Sequence, residues 1–408
     1  MICMTMTERP LPRILVYEFI SAAGAGVQLS TGASTGGHGV PPDDGDAGEP
    51  LLLQGIAMRD AIAADLLAAG RYRVCVADSA AAPFPLPAAA ASPEGRDTAH
   101  ERPVRHGAAC PPRSSDAARA PSARSAAPGC ATLRAMPDET PAAFLARVSP
   151  GFDRVWVVAP ETDGILAGLC RAVGPARWAG CDAGAIALCG SKTATRMRLA
   201  AHGIAVPDGW QPGEARPHPD GAWIVKPDDG AGAQDTRRHA GFDAARAAFT
   251  AHAASGRPFA LERWVDGEPL SLSLLCGSRG AELLCINRQR IRLGADGKLG
   301  YHGVDVGIEA PGGARGRVLG ELAHAVHAAV PGLAGFVGID LVWTSGGQPV
   351  VIEINPRPTC AYVGLSARIG RNLAAGILAS DTRSAAAAQP SGGNAAGAFP
   401  CPDGWTSR

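Results

Sequence analysis

Short β-branched runs alternate with longer segments of helical periodicity through the first part of the chain. Arg13 to Ile20 (RILVYEFI) is a β-branched and aromatic run that ends in the small residues Ser21 to Gly26, so it predicts a strand feeding a loop. Leu51 to Ala69 carries apolar residues at helical spacing, Gly70 follows as a stop, and Tyr72 to Ala77 predicts the next strand. Together these form a β-α-β unit, and a doubly wound α/β domain is its simplest continuation. A helix over Pro141 to Val148 and a strand over Arg154 to Ala159 (RVWVVA) extend the alternation. The next stretch, PETDGILAGLCRAV, predicts a loop and a helix whose first free amides Asp163 caps.

Further along, the pattern shifts from helical spacing to strands. Trp223 to Lys226 (WIVK), Phe259 to Val265 (FALERWV) and Leu270 to Cys276 (LSLSLLC) are short strands, and the last places Ser271 and Ser273 on one face. Leu283 to Ile286 runs into the polar cluster Asn287-Arg288-Gln289-Arg290. Val337 to Trp343 and Pro349 to Ile354 flank Gly346-Gly347, a dipeptide suited to a two-residue hairpin turn in which Ser345 faces Gln348. Counted outward from that turn, Asp340 faces Glu353. Two like charges there destabilise a ribbon unless something positive lies between them. Asn355, two residues past Glu353, projects to the same face.

Composition separates ordered from unordered stretches. Residues 79–136 collapse into Ala, Pro, Arg and Ser with almost no large apolar side chain, and so predict a disordered insertion. The Gly- and Ala-rich residues 379–408 predict a flexible tail. What remains divides into an N-terminal α/β domain, 13–78 with 137–180, and a larger unit of two lobes, 181–378. At 408 residues and 46% hydrophobic, the chain is long enough for such a multi-lobed enzyme. Its 38 basic and 38 acidic residues cancel, which argues against a nucleic-acid or membrane-surface partner. The 11 cysteines contain no C-x-x-C pair, which fits reduced thiols better than a disulfide framework or a zinc site. No apolar segment suggests export or membrane insertion, so a cytoplasmic location is expected.

The candidate chemistry is phosphate and metal chemistry. Asp340, Glu353 and Asn355 make an all-oxygen cluster suited to magnesium, and Arg357 just beyond can grip a phosphoryl or carboxylate group bidentately. A pair of surface carboxylates on an exposed hairpin is the plain alternative. Lys226, delivered by a strand to the Gly-bearing loop PDDGAGAQD, can neutralise phosphate while loop amides approach it, and that loop, Asp228 to Gln234, is expected to order over a nucleotide. Ser191-Lys192-Thr193 opens a helix, but the G-x-x-x-x-G-K-[ST] spacing of a P-loop is broken. Gly24-Ala25-Gly26 likewise lacks the third glycine of a dinucleotide fingerprint. Neither a Ser-His nor a Cys-His arrangement suggests a nucleophilic side chain.

The order Ser191-Lys192, WIVKP, LERWVDGE, GIDLVW and EINPRPT resembles the ATP-grasp superfamily over roughly Pro160 to Arg371. That resemblance implies an ATP-grasp fold behind an N-terminal Rossmann-like pre-ATP-grasp domain, with ATP and magnesium, two ions or manganese in its place, as cofactors. It implies that Lys192 and Lys226 contact ATP phosphates, that Glu262, Arg263, Trp264 and Val265 line the adenine pocket, and that Glu268 meets the ribose hydroxyls. Asp340, Glu353 and Asn355 would bind the metal, and Arg357 and Arg288 would stabilise an acyl phosphate. More narrowly, VYEFIS, PETDGIL, INRQRI and EINPRPTCAYVGL resemble the tyramine-glutamate ligase family of methanofuran biosynthesis. The implied activity is ADP-forming ligation of a carboxylate, glutamate, to an aromatic amine such as tyramine or tyrosine, by an enzyme that is often a homodimer. An ATP-grasp kinase and a non-catalytic ATP-binding protein are the alternatives.

Overall fold

The computed structural model describes residues 10–23, 48–85, 129–217, 221–230, 232–253 and 256–380, which build three sheets. The first is parallel throughout. Its strands β1 (Arg13–Glu18), β2 (Arg73–Ala77), β3 (Cys130–Leu133), β4 (Arg154–Val158) and β5 (Trp178–Ala179) lie in the order β3-β2-β1-β4-β5. Helices α1 (Phe19–Ala23), α2 (Gly48–Ala68), α3 (Pro141–Val148) and α4 (Ile165–Val173) belong to the same domain. β1 is apolar without alternation because both its faces are covered. Ile14 and Val16 pack with Met58, Ile62 and Leu66 of α2, while Leu15 and Tyr17 pack with Phe144 and Leu145 of α3. This is the expected Rossmann-like domain, and its strand order reverses between β1 and β4.

Three boundaries differ from the expectation. The first strand ends at Glu18 rather than Ile20, because Phe19 already turns into α1. Within the segment expected to be unordered, residues 130–133 form β3, whose backbone pairs with β2 from Val74↔Cys130 to Ala77↔Leu133. Ladder hydrogen bonds to an existing sheet edge order a segment that has little apolar surface of its own. Residues 86–128 of that expected insertion and the expected tail from 381 on lie outside the described residues, and α10, defined below, runs to Ser380.

α5 (Ala183–Cys189) and α6 (Lys192–Ala201) lead into a four-stranded antiparallel sheet of β6 (Gly209–Trp210), β7 (Trp223–Pro227), β8 (Arg237–His239) and β9 (Phe259–Arg263), ordered β6-β9-β7-β8. α7 (Phe242–Ala253) covers one face, with Phe242 edge-on to Trp210 and Trp223 at 5.5 and 5.2 Å. The third sheet, also antiparallel, holds β10 (Glu268–Gly277), β11 (Gly280–Leu293), β12 (Leu299–Glu309), β13 (Gly335–Trp343) and β14 (Pro349–Asn355) in the order β12-β11-β10-β13-β14. Leu270, Leu272, Leu274 and Cys276 of β10 are each at most 1% exposed and share the large core with Leu319, Ala323 and Val326 of α8 (Ala314–Ala329).

Two clasps hold the sheets around a common space. The β11–β12 turn reaches the small sheet, where Arg238 N–H donates to the Gly297 carbonyl (2.8 Å) and Leu299 N–H to the Thr236 carbonyl (2.9 Å). Gly297 has φ +85°, and a Cβ there would lie 2.3 Å from the Arg238 carbonyl oxygen, so the close approach requires glycine. On the other side, α2 is tied to the segment leading to α9 (Leu365–Ile369) and α10 (Leu373–Ser380): Asp65 accepts from the Tyr362 and Ser366 hydroxyls at 2.7 and 2.5 Å. Among the described residues no helix is long and apolar enough to cross a membrane.

Candidate active site

The β13–β14 hairpin confirms the facing carboxylates by a route the sequence did not show. Its loop is one residue longer than a Gly346-Gly347 turn: Trp343 pairs with Pro349, and Thr344 N–H donates to the Gln348 carbonyl. Gly347 takes φ +75°, as a three-residue loop requires. That shift alone would misalign the strands, but the register slips back between Asp340 and Leu341, leaving Ile352 as the extra residue of a bulge. Asp340 then faces Glu353, and Gly338 faces Asn355. Across the sheet the same row continues through Ser271 to Asn287, so Asn287, Ser271, Asp340 and Glu353 are cross-strand neighbours on β11, β10, β13 and β14.

These groups hold one another. Asn355 donates to Asp340 (Nδ2 to Oδ2, 3.3 Å), and fully buried Asn287 donates to the Ser273 and Ser271 hydroxyls at 3.1 and 3.4 Å. Burial, and next the charge of Glu353, push the Asp340 carboxyl up to about 7; hydrogen bonds from Gln289 and Asn355 and the charge of Arg357 pull the other way. Two opposed carboxylates and an amide oxygen fit a hard divalent cation that fills its remaining positions with water and phosphate oxygens. Among the described residues there is no group of three or more His, Cys, Asp or Glu side chains that could hold a metal ion by themselves.

Both lysines converge on the same space from different elements. Lys192, at the first turn of α6, donates to the Gly230 carbonyl and lies 3.3 Å from Glu353. Lys226, near the end of β7, pairs with Glu262 of β9 at 2.7 Å, with both side chains at most 5% exposed. Asp228 fixes the geometry between them. Its carboxylate accepts from the Ser191 hydroxyl (2.6 Å) and the Thr193 amide (2.8 Å), and its carbonyl accepts from Lys192 N–H (2.9 Å). The start of α6 is thereby pinned to the loop after β7, with a carboxylate placed where the helix dipole favours it.

Arg357 follows β14 and reaches the N-terminal domain. It makes a bidentate pair with Glu161, Nε to Oε1 at 2.9 Å and Nη2 to Oε2 at 3.0 Å. Burial works against its charge, and Glu161 more than offsets this, holding the guanidinium above its usual range. A cavity of about 540 Å³ brings these groups together. Lys192, Lys226, Glu262, Arg263, Trp264, Val265, Asp340, Glu353, Asn355 and Arg357 all border it, as do Gly230 and Gly232 of the Gly-bearing loop. Arg263 places its guanidinium 5.8 Å over the Trp223 ring, and Trp264 donates to Asp266 at 2.7 Å.

Two expected residues lie elsewhere. Glu268 of β10 and Arg288 of β11, whose direct partner is Leu270, form a diagonal ion pair at 2.6 Å, which Arg315 joins at 2.6 Å. Neither Glu268 nor Arg288 borders the cavity. The period of a strand explains this: Asn287 and Gln289 project inward, so Arg288 between them projects away. Gln289, on the inward face, does border the cavity, and alternation from Asn287 was the signal for it. Glu161 and Asp228 were likewise legible only as polar residues inside PETDGIL and KPDDG. The N-cap position of α4 is Gly164, which supplies no side-chain cap, and the Asp163 amide donates to Asp229 at 2.9 Å.

A parallel domain followed by two antiparallel sheets that enclose paired lysines and a carboxylate hairpin defines the ATP-grasp class. In agreement, residues 189–361 match the ATP-grasp domain family and residues 115–186 match the pre ATP-grasp 3 domain. The chain therefore carries an ATP-grasp domain behind a pre-ATP-grasp domain, and its fold is that of the ATP-grasp superfamily. A tyramine–L-glutamate ligase from Methanocaldococcus jannaschii is 29% identical over 219 residues, which are 53% of this chain and 59% of that protein. One from Methanocaldococcus fervens is 27% identical over 215 residues, 52% of this chain and 61% of that protein. The match thus spans under two thirds of these curated relatives. The crystal structure of an ATP-grasp superfamily protein from Archaeoglobus fulgidus superposes with a TM-score of 0.56 at 20% identity, covering 90% of this chain and 88% of that one, which shows the shared fold.

Proposed function

We propose that this chain is an ATP-dependent, magnesium-requiring carboxylate–amine ligase that joins glutamate to an aromatic amine such as tyramine or tyrosine, in a methanofuran-like cofactor pathway. The observation that carries the reading is the convergence of Lys192, Lys226, Arg357 and the Asp340–Glu353 pair on one cavity. Three cationic groups aimed at anionic oxygens, around a carboxylate pair that needs a cation between its members, suit the transfer of a phosphoryl group. The names of the matched relatives supply the substrate classes.

In this reading ATP lies between the small sheet and the third sheet. Val265, Ile291 and Leu341 offer apolar contact to the base, and Lys226 and Lys192 meet the phosphates, exchanging Glu262 and the Gly230 carbonyl for phosphate oxygens. Magnesium, held by Asp340, Glu353 and Asn355, would supply the positive charge that offsets the β- and γ-phosphoryl oxygens. The substrate carboxylate oxygen forms a bond to the γ-phosphorus as the bond to the ADP oxygen breaks. Arg357, oriented by Glu161, stabilises the charge on the transferred group. The amine nitrogen then attacks the activated carbonyl carbon, phosphate departs with the C–O electron pair, and the nitrogen loses a proton. No side-chain nucleophile is required.

The test is ADP release by the purified chain with ATP, magnesium and glutamate, with and without tyramine or tyrosine, together with mass spectrometry of the product. Amine-dependent ADP release and a new amide, both lost in Asp340→Asn, are expected. ADP release with a phosphorylated product and no amide would replace the ligase by a kinase.

A further inference from the structure

We propose that Glu18 is the recognition point for a substrate ammonium group at the N-terminal-domain end of the cavity. This deepens the ligase reading and rests on it for the identity of the substrates. Glu18 is the last residue of β1, at the carboxyl end of the strand where the order of the parallel sheet reverses, and Val158 to Pro160 at the end of β4 border the cavity beside it. Ligands of open parallel sheets bind in that crevice.

The carboxylate is 2% exposed yet borders the cavity. Its oxygens accept from the Ile20 amide (Oε1, 3.2 Å) and the Ser21 amide (Oε2, 2.7 Å), which leaves lone pairs over and no ion pair among the described residues. The neighbouring cation, Arg59, is committed elsewhere: to Asp60 at 2.8 Å, to the Ala82 carbonyl at 2.7 Å, and over the Phe84 ring at 5.5 Å. Gly55 of α2 lets the carboxylate lie against the helix, since a Cβ there would sit 2.5 Å from Oε2. The wall around it is largely apolar, with Ile20, Leu51, Met58 and Ala361.

A buried carboxylate facing an apolar slot is costly unless a cation or donors compensate it. Burial raises its pKa, and the Ser21 amide and hydroxyl, the Ile20 amide and the charge of Arg59 only partly counter this. An ammonium entering the slot supplies the missing partner while its hydrocarbon part lies on Leu51 and Met58. Glutamate and an aromatic amine both carry such a group, so the experiment separates them.

Binding of glutamate, of glutarate (the same diacid without the ammonium), of tyramine and of its neutral alcohol analogue is measured by calorimetry on the full chain and on Glu18→Gln, an isostere that keeps one oxygen acceptor for the Ile20 and Ser21 amides. Loss of about tenfold or more in affinity for one ammonium ligand, with its neutral counterpart and ATP unaffected, is expected. The ligand affected names the source. Equal affinity of both ammonium ligands for wild type and variant would overturn the proposal. So would a wild-type chain that binds each ammonium ligand no better than its neutral analogue, an outcome that does not depend on the variant folding. Amide formation is followed separately, so ammonium binding through Glu18 without any amide would count against the ligase reading alone.

Discussion

Asp228 offers the sharpest test of how the two cavity-lining lysines are positioned. Asp228→Ala removes two hydrogen bonds to a buried carboxylate, 2.6 Å from the Ser191 hydroxyl and 2.8 Å from the Thr193 amide. Hydrogen bonds to a charged group contribute about 1.5–3 kcal/mol each, but these two share one carboxylate, so about 2–4 kcal/mol in all is expected. Part of that is the loss of an anion near the start of α6. At roughly 2–4 °C per kcal/mol for a unit of about 150–250 residues, such as the ATP-grasp domain matched over residues 189–361, the melting temperature of that unit should fall by roughly 4–16 °C. Because the start of α6 also carries Lys192, ATP affinity should drop about tenfold, measured by calorimetry beside the thermal melts. Asp228→Asn keeps one acceptor for the Thr193 amide and should lose less of both. A melting temperature and an ATP affinity both unchanged in Asp228→Ala would refute the positioning role.

Glu353→Gln should abolish the rise in melting temperature that magnesium gives, as chelation does in the wild type. Its metal-free stability should stay within about 1 kcal/mol, since relief of the Asp340 repulsion offsets the lost contact with Lys192. Glu161→Gln leaves the Arg357 guanidinium without its buried partner; kcat should fall about a hundredfold with little change in the KM for ATP, and an unchanged kcat would remove Arg357 from the transfer step. Glu268 resists ionisation through burial, but hydrogen bonds from Arg315 and Arg288 dominate and hold its pKa below the usual value. Its stabilisation is therefore complete above the unfolded carboxylate pKa of about 4.3 and is lost as the pH falls through the lower folded value. The gap in melting temperature between wild type and Glu268→Gln should be constant near neutrality and close in acid.

The active-site groups show where reading by sequence works and where it stops. Strand period and residue type were enough to put Asp340, Glu353 and Asn355 on one face, because side-chain direction along a strand is a local property. The facing pair nevertheless depends on a compensation: a loop one residue longer than expected and a bulge at Ile352 that restores the register. Arg288 was misplaced because its charge was weighed without its parity; Asn287 and Gln289 hold the inward positions and Arg288 turns to Glu268, with which Arg315 also pairs.

What the sequence determined by itself is the set of elements: the buried β1, the strand ending at Lys226, the helix opening at Lys192 and the carboxylate hairpin, each encoded by apolar period and local turn chemistry. Tertiary structure decided which of their side chains meet. Glu161 and Arg357 stand 196 residues apart, Asp228 reaches Thr193 across 35, and Glu18 comes to border the cavity with Arg357 only when the N-terminal domain closes on the third sheet. Such pairings are set by the packing of whole faces, which no window of sequence contains.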